Sequence, residues 1–301
     1  MYSDKPSKRQ AMAFVPPSPV VGRVEICMWI HRLRRASACA AALFFASTVF
    51  GAACAETIKI GGTGSALGTM RLLADAYTAE DANTLVTVLP SLGTTGGIKA
   101  LLAGAIDIAL TLRSLNGAEA ANGAMSVEYA RTPFVFATAI GNPAQAITTA
   151  ELVDIYLGKQ VDWPEGGKIR LVIRPTGDND SEMVRSLSPQ MREAELHAEQ
   201  RKGLLFAVTD TEAADNLERV PGSLGSSSLA LIASERRALK ALTLNGVAPS
   251  TAALADGSYP LGKSFYMVVG PTPSPATQRF VDFVRSPPGR EILARTEHLT
   301  P

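Results

Sequence analysis

From Glu56 onward the chain repeats one pattern: a short apolar run, a turn rich in glycine and hydroxyls, then apolar residues at helical spacing. Ile58 and Ile60 alternate before Gly61-Gly62-Thr63-Gly64-Ser65, and Leu67, Met70, Leu72, Leu73, Ala76 and Tyr77 line one helical face. Leu85-Val86-Thr87-Val88-Leu89 reads as a second strand, Ser91-Leu92-Gly93-Thr94-Thr95-Gly96-Gly97 as its turn, and Ile98, Leu101 and Leu102 as a second helix. A third strand, Ile106-Asp107-Ile108-Ala109-Leu110, ends at Thr111-Leu112-Arg113-Ser114. Strands alternating with helices predict a parallel sheet whose strand-to-helix turns gather at one edge.

The pattern then changes. Residues 125–139 are apolar and β-rich, long enough to leave one lobe and enter another, and Asn142-Pro143 marks a turn. Thr148 and Glu151 form a capping box for a short helix closed by Gly158. After Trp163, a strand from Ile169 to Ile173 delivers Arg174, and Pro175-Thr176-Gly177-Asp178-Asn179-Asp180-Ser181 leads into a helix with Met183, Val184 and Leu187. Helical patterns fill 191–202 and 211–219, residues 239–247 and 259–269 are β-rich, and Phe280, Phe283 and Val284 mark a last amphipathic helix. Passages near 133–140 and 258–266 predict an α/β fold of two lobes, each a mostly parallel sheet with flanking helices, with two crossover strands as hinge. The expected division is 56–135 plus 262–301 for one lobe and 136–261 for the other. A cleft between such lobes suits a small ligand.

The first residues stand apart. Residues 28–55 combine a basic head (Arg32, Arg34, Arg35), an alanine-rich apolar middle and a small-x-small end at Ala53-Cys54-Ala55, which reads as a Sec signal peptide and a periplasmic destination. A membrane anchor is the competing reading, because 18 largely apolar residues can just span a bilayer. Residues 1–27 lack periodicity and read as a non-native extension ahead of a true start at Met28. Cys27, Cys39 and Cys54 all fall in this leader, so the mature chain is expected to have no disulfide, zinc site or cysteine nucleophile. Acylation of Cys54 would want a bulky aliphatic three residues earlier, where Gly51 stands. The leader holds seven Lys or Arg against Asp4 and Glu25; removing them from 29 basic and 28 acidic residues leaves 22 and 26, a net charge of −4. Such a chain has no general pull on nucleic acid or anionic membrane, so a bound anion would be held by local geometry.

That geometry is the candidate chemistry. Consecutive N–H groups at Gly-rich turns, hydroxyls at Ser91, Thr94 and Thr95, and the positive end of a helix suit a small anion. The plain alternative is a tight turn at Gly96-Gly97 with Thr95 as N-cap. A second such turn at 61–65 favours the anion. Arg174 offers a planar fork for an oxyanion, or a surface ion pair with Asp178 or Asp180. No Gly-x-Ser-x-Gly or His-Glu-x-x-His motif is present, and His197 and His298 lie in charged surroundings expected to be solvated, so no enzyme, cofactor or metal site is expected. Ser226-Ser227-Ser228 reads as a cleft edge or a polar turn, and Tyr156 and Trp163 as packing.

Gly-x-Gly-Ser at 62–65, Ser-x-Gly-Thr-Thr-Gly-Gly-Ile-Lys at 91–99, Ala-Ile-Asp107-Ile-Ala, and the run from Thr148 through Tyr156, Gly158 and Lys159 to Trp163 resemble the substrate-binding proteins of phosphate ABC transporters. The resemblance covers about 56–300 and implies a periplasmic-binding-protein-like fold of type II. It further implies a monomer that hands a tetrahedral oxyanion, phosphate first, to an inner-membrane permease. By resemblance the anion is held by Thr63, Gly64 and Ser65, by Ser91, Thr94, Thr95 and Gly96, and by Arg174. Two departures bear on the ligand. The position where phosphate-specific relatives carry an acceptor aspartate reads Leu112, followed by Arg113, and the family's Ser-Gly-Thr donors are replaced by Asp178-Asn179-Asp180. Asp180 as substitute acceptor and Asp178 as helix cap are both open readings. A sensing or interaction module on the same fold, and a secreted phosphatase or hydrolase, are the alternatives.

Overall fold

The structure, a computed structural model, describes residues 55–301; the leader and its three cysteines lie outside the described residues. The described residues form one compact unit. Its first part runs β1 (Glu56–Gly62), α1 (Gly64–Glu80), β2 (Thr84–Val88), α2 (Gly93–Leu102), β3 (Ile108–Thr111), α3 (Gly117–Ala120) and β4 (Met125–Ala139). The middle adds β5 (Ala146–Ile147), α4 (Thr149–Leu157), β6 (Arg170–Ile173), α5 (Asn179–Ser186), α6 (Pro189–Gln200), β7 (Leu205–Phe206) and α7 (Asp210–Arg219). Then follow β8 (Ser223–Ser228), α8 (Leu229–Ser234), β9 (Leu239–Ala241), β10 (Thr243–Leu244), α9 (Thr251–Asp256), β11 (Gly262–Val269), α10 (Pro275–Arg285) and α11 (Pro287–Arg295). Among the described residues no helix is long and apolar enough to cross a membrane.

The main sheet runs β2-β1-β3-β11-β4-β8-β6-β7, with β9 also on β4. β1 is parallel to β2 and β3, and β6 is parallel to β7 and β8; β11 and β4 run antiparallel between these two parallel ends. β4 is the long link. Its residues from Met125 to Pro133 pair with β11 and those from Phe134 to Ala139 with β8 and β9, so a single strand joins two halves of the sheet.

Hydrophobic patterning explains the layers. β4 is buried on both faces over 134–137: Phe134 and Phe136 enter a core with Leu152, Tyr156, Trp163 and Ile173, and Val135 enters one with Val172, Leu217 and Leu231. A strand covered on both sides reads as a continuous apolar run rather than an alternation. The remaining core packs Ile58, Ile60, Leu67, Met70, Phe265 and Met267 against α10, with Tyr77 edge-on to Phe280 at 5.3 Å. Thr148 and Glu151 make both capping-box hydrogen bonds of α4, and Gly158 closes it in the left-handed region at φ 76°. The three serines form a buried strand rather than a cleft edge or a turn, and the Ser228 hydroxyl accepts from the Leu231 N–H to cap α8.

His298 departs from the solvated surroundings expected for it. It lies past the end of α11, 3% exposed, its ring 5.3 Å from that of Phe265 and its Nδ1 3.1 Å from the Thr296 hydroxyl. Burial disfavours the imidazolium and brings the pKa down to about 4. Because the folded value lies below the unfolded one, His298 contributes full stability above pH ~6.5 and loses it as pH falls toward 4. Stability is therefore expected to decline by up to about 1.4 kcal/mol per pH unit in that window through this group alone. Denaturant unfolding of His298→Gln against the wild type checks this: an identical pH slope in both would remove His298 as the cause.

Candidate functional site

The β1–α1 turn forms because Gly62 sits at φ 144°, where a Cβ would stand 2.0 Å from the Leu110 carbonyl oxygen. No other residue fits that backbone. The turn places Thr63 and Ser65 at the N-terminus of the 17-residue α1, almost fully buried. Thr63 does not cap its own helix. Instead its hydroxyl donates to Asp210 Oδ2 at 3.0 Å, and Ser65 Oγ donates to Asp210 Oδ1 at 2.6 Å. Asp210 is the first residue of α7, whose N-cap is Thr209, so its carboxylate is free to reach across. Gly64 faces Asp210 closely, since a Cβ there would lie 3.1 Å from that of Asp210.

Lys263 on β11 completes the cluster. Its ammonium donates to Ser65 Oγ at 3.1 Å and to Asp210 Oδ1 at 3.2 Å, and it pairs with Asp180 Oδ1 at 2.5 Å. Lys263 and Asp180 are each 2% exposed. Burial alone would neutralise Lys263, but Asp180 and Asp210 outweigh it and hold the amine charged. For Asp210, burial raises the pKa, yet Lys263, Arg174 and the Ser65 hydroxyl carry it far below the usual carboxylate range. Asp180 goes the other way: burial raises it, Lys263 opposes, and the carboxylates of Asp210 and Asp178 add to the rise. Two carboxylates beside one ammonium thus diverge in proton affinity.

Arg174, at the tip of β6, is buried. Nε and a terminal nitrogen donate to Asp178 at 3.1 and 2.8 Å, and the other terminal nitrogen to the Ala207 carbonyl at 2.9 Å. The pair joins a buried arginine to a half-buried aspartate and is not a fully exposed surface ion pair. Asp178 also accepts from the Asp180 N–H at 2.9 Å, capping α5, so it serves both arginine and helix. Asn179 opens α5, half-buried.

The second turn is spent on the backbone. The Ser91 hydroxyl faces the Gly62 carbonyl at 3.4 Å, Thr94 Oγ1 accepts from the Leu112 N–H at 3.2 Å, and Thr95 is exposed. The expectation of Thr95 as N-cap fails: α2 starts at Gly93, with Leu92 in the capping position. Gly96 is half-buried in α2, and Gly97 is needed because a Cβ would approach the Gly62 Cα to 2.9 Å. Arg113 points to α3, donating to both oxygens of Glu119 at 2.7 and 2.9 Å and drawing that carboxyl down to about 2.

The fold therefore gathers Thr63, Gly64, Ser65, Arg174, Asp178 and Asp180, and commits Arg113 and Thr94 to local contacts. Sequence reasoning missed Asp210 and Lys263. Asp210 reads as an ordinary first-turn acid after a threonine cap. Lys263 left a signal, since it lies in phase with Phe265 and Met267 on the buried face of β11. Among the described residues no group of three or more His, Cys, Asp or Glu is arranged to hold a metal ion.

A protein from Clostridium perfringens, described as a phosphate ABC transporter substrate-binding protein with bound phosphate, matches with a TM-score of 0.68 and 20% identity over 82% of this chain and 100% of its own. An ABC-type phosphate transport receptor from Vibrio cholerae matches at 0.56 and 23%, over 81% and 100%. PEB3 of Campylobacter jejuni with bound L-phospholactate matches at 0.56 and 13%, over the same shares. At these identities the likeness concerns the fold, which is the two-lobed α/β architecture expected from the sequence. Among curated proteins none is significantly similar in sequence. The model of the PBP superfamily domain matches residues 48–288, and the chain belongs to that superfamily.

Proposed function

We propose that the protein is a periplasmic substrate-binding protein that takes a small tetrahedral oxyanion, phosphate first, between its lobes and delivers it to an inner-membrane ABC permease. The observation that carries this reading is the seat at the α1 N-terminus: Thr63 and Ser65 each hold one oxygen of a carboxylate, so the seat has the geometry of an oxyanion site. The phosphate and L-phospholactate carried by the fold relatives support the same chemistry. In this reading residues 56–135 with 262–301 form one lobe and 136–261 the other, the protein acts as an exported monomer, and no catalytic step is involved. Arg174, Asp178 and Asp180 approach the ligand from the second lobe. Ligand contacts with both lobes stabilise the closed form.

Thermal unfolding with phosphate, sulfate, molybdate, tungstate or a phosphonate at two pH values tests the reading. A ligand at 100 times its Kd adds about 2.7 kcal/mol of stability, and a clear rise in midpoint with phosphate is expected. If no oxyanion moves the midpoint, the transport reading is wrong. One observation favours a second reading, an anion-sensing or interaction module: the seat is already filled by the chain's own Asp210.

A further inference from the structure

We infer that Asp210 is a tethered pseudo-ligand: its carboxylate takes the oxyanion seat, ties α7 to α1 across the lobes, and sets the threshold that an incoming anion must exceed. The second arm of the test below rests on the oxyanion reading; the first does not.

Three features carry the inference. Asp210 comes from α7, which packs on the Val135–Leu217 core, yet its two oxygens are held by Thr63 and Ser65 of α1, which packs on the Ile58–Phe280 core. The contact thus bridges elements of different cores, as an interlobe ligand would. It is also tight: Gly64 faces Asp210, and a Cβ on Gly68 would stand 2.4 Å from the Ser234 hydroxyl of α8. Finally, three carboxylates face two cations, so the cations are already taken up. Lys263 and Arg174 face Asp178, Asp180 and Asp210, so no cation is left over for an added anion while Asp210 stays in place. An oxyanion gains Thr63, Ser65 and Lys263 only when Asp210 leaves them.

A seat filled nine-tenths of the time by its own side chain weakens an external ligand by about tenfold. Asp210 thereby decides specificity. Ligands with one weak carboxylate compete poorly against a carboxylate already tethered, whereas a phosphate or another ligand with more oxygens and more charge can use the same donors and displace it.

The experiment is small-angle X-ray scattering on the wild type, Asp210→Asn and the double variant Thr63→Val with Ser65→Ala, each without anion and with inorganic phosphate. The wild type is expected to be compact without anion. Asp210→Asn is expected to be expanded without anion, compact with phosphate, and to bind phosphate about tenfold more tightly than the wild type. The double variant, which keeps Asp210 and removes its donors, is expected to be expanded and to stay so with phosphate. An expanded wild type without anion overturns the inference, as does a compact Asp210→Asn without anion or weaker phosphate binding by that variant. If Asp210→Asn expands and phosphate does not close it, the tether stands and the oxyanion function fails.

Discussion

Replacing Lys263 with methionine is expected to lower stability at pH 7 by about 3–5 kcal/mol, the range for removing one partner of a buried ion pair. Methionine keeps most of the volume, so the loss comes from charge. Asp180 and Asp210 would remain beside each other, 2% and 8% exposed, with no ammonium between them. The pH dependence separates this from a packing defect. In the wild type Asp210 lies far below the usual carboxylate range, so its contribution is present above that range and lost as pH falls into acid. Without Lys263 the folded-state values of both carboxylates rise, and protonation then relieves the variant as pH falls. The gap between wild type and variant is expected to narrow steadily from pH 7 to pH 4 in denaturant unfolding. A gap that stays constant would mean that Lys263 acts through packing alone.

The second large effect is expected at Arg185. Its guanidinium is 5% exposed and donates to Glu195 at 2.5 Å, Glu182 at 2.8 Å and Glu199 at 2.8 Å, fastening α5 to α6. Glu195 is 2% exposed, and burial raises its pKa against the pull of Arg185. Arg185→Met strands that carboxylate and is expected to cost about 3–5 kcal/mol. Adding Glu195→Gln to it should recover about 1–3 kcal/mol, because the residue left behind is no longer a charge in need of a partner. A double variant no more stable than the single one would show that the helices are held by their apolar contacts. The consequence reaches the seat, since α5 carries Asp180 and is capped by Asp178.

Asp210, Asp178 and Arg174 show why a long-range role is hard to read from the chain: the sequence places Arg174 and Asp178 at the site, but not Asp210. Each has a local explanation as complete as its real one. Asp210 sits where helices favour an acid in the first turn, Asp178 where they favour a cap, and Arg174 four residues before Asp178 at ion-pair spacing. Local preference and long-range contact are satisfied together, and only the second reveals the site. His298 shows the reverse error: its neighbours in sequence are polar, but the wall it meets is Phe265, 33 positions away.

Periodicity alone determined the layered α/β order, the strand-to-helix turns at 61–65 and 91–97, and the β4 passage between cores. These follow from steric and hydrophobic rules acting within a few residues. The tertiary structure decided which group fills the α1 seat. That choice joins Thr63, Asp180, Asp210 and Lys263 from four separate segments, and it turns on desolvation and charge balance in a volume no single segment encloses.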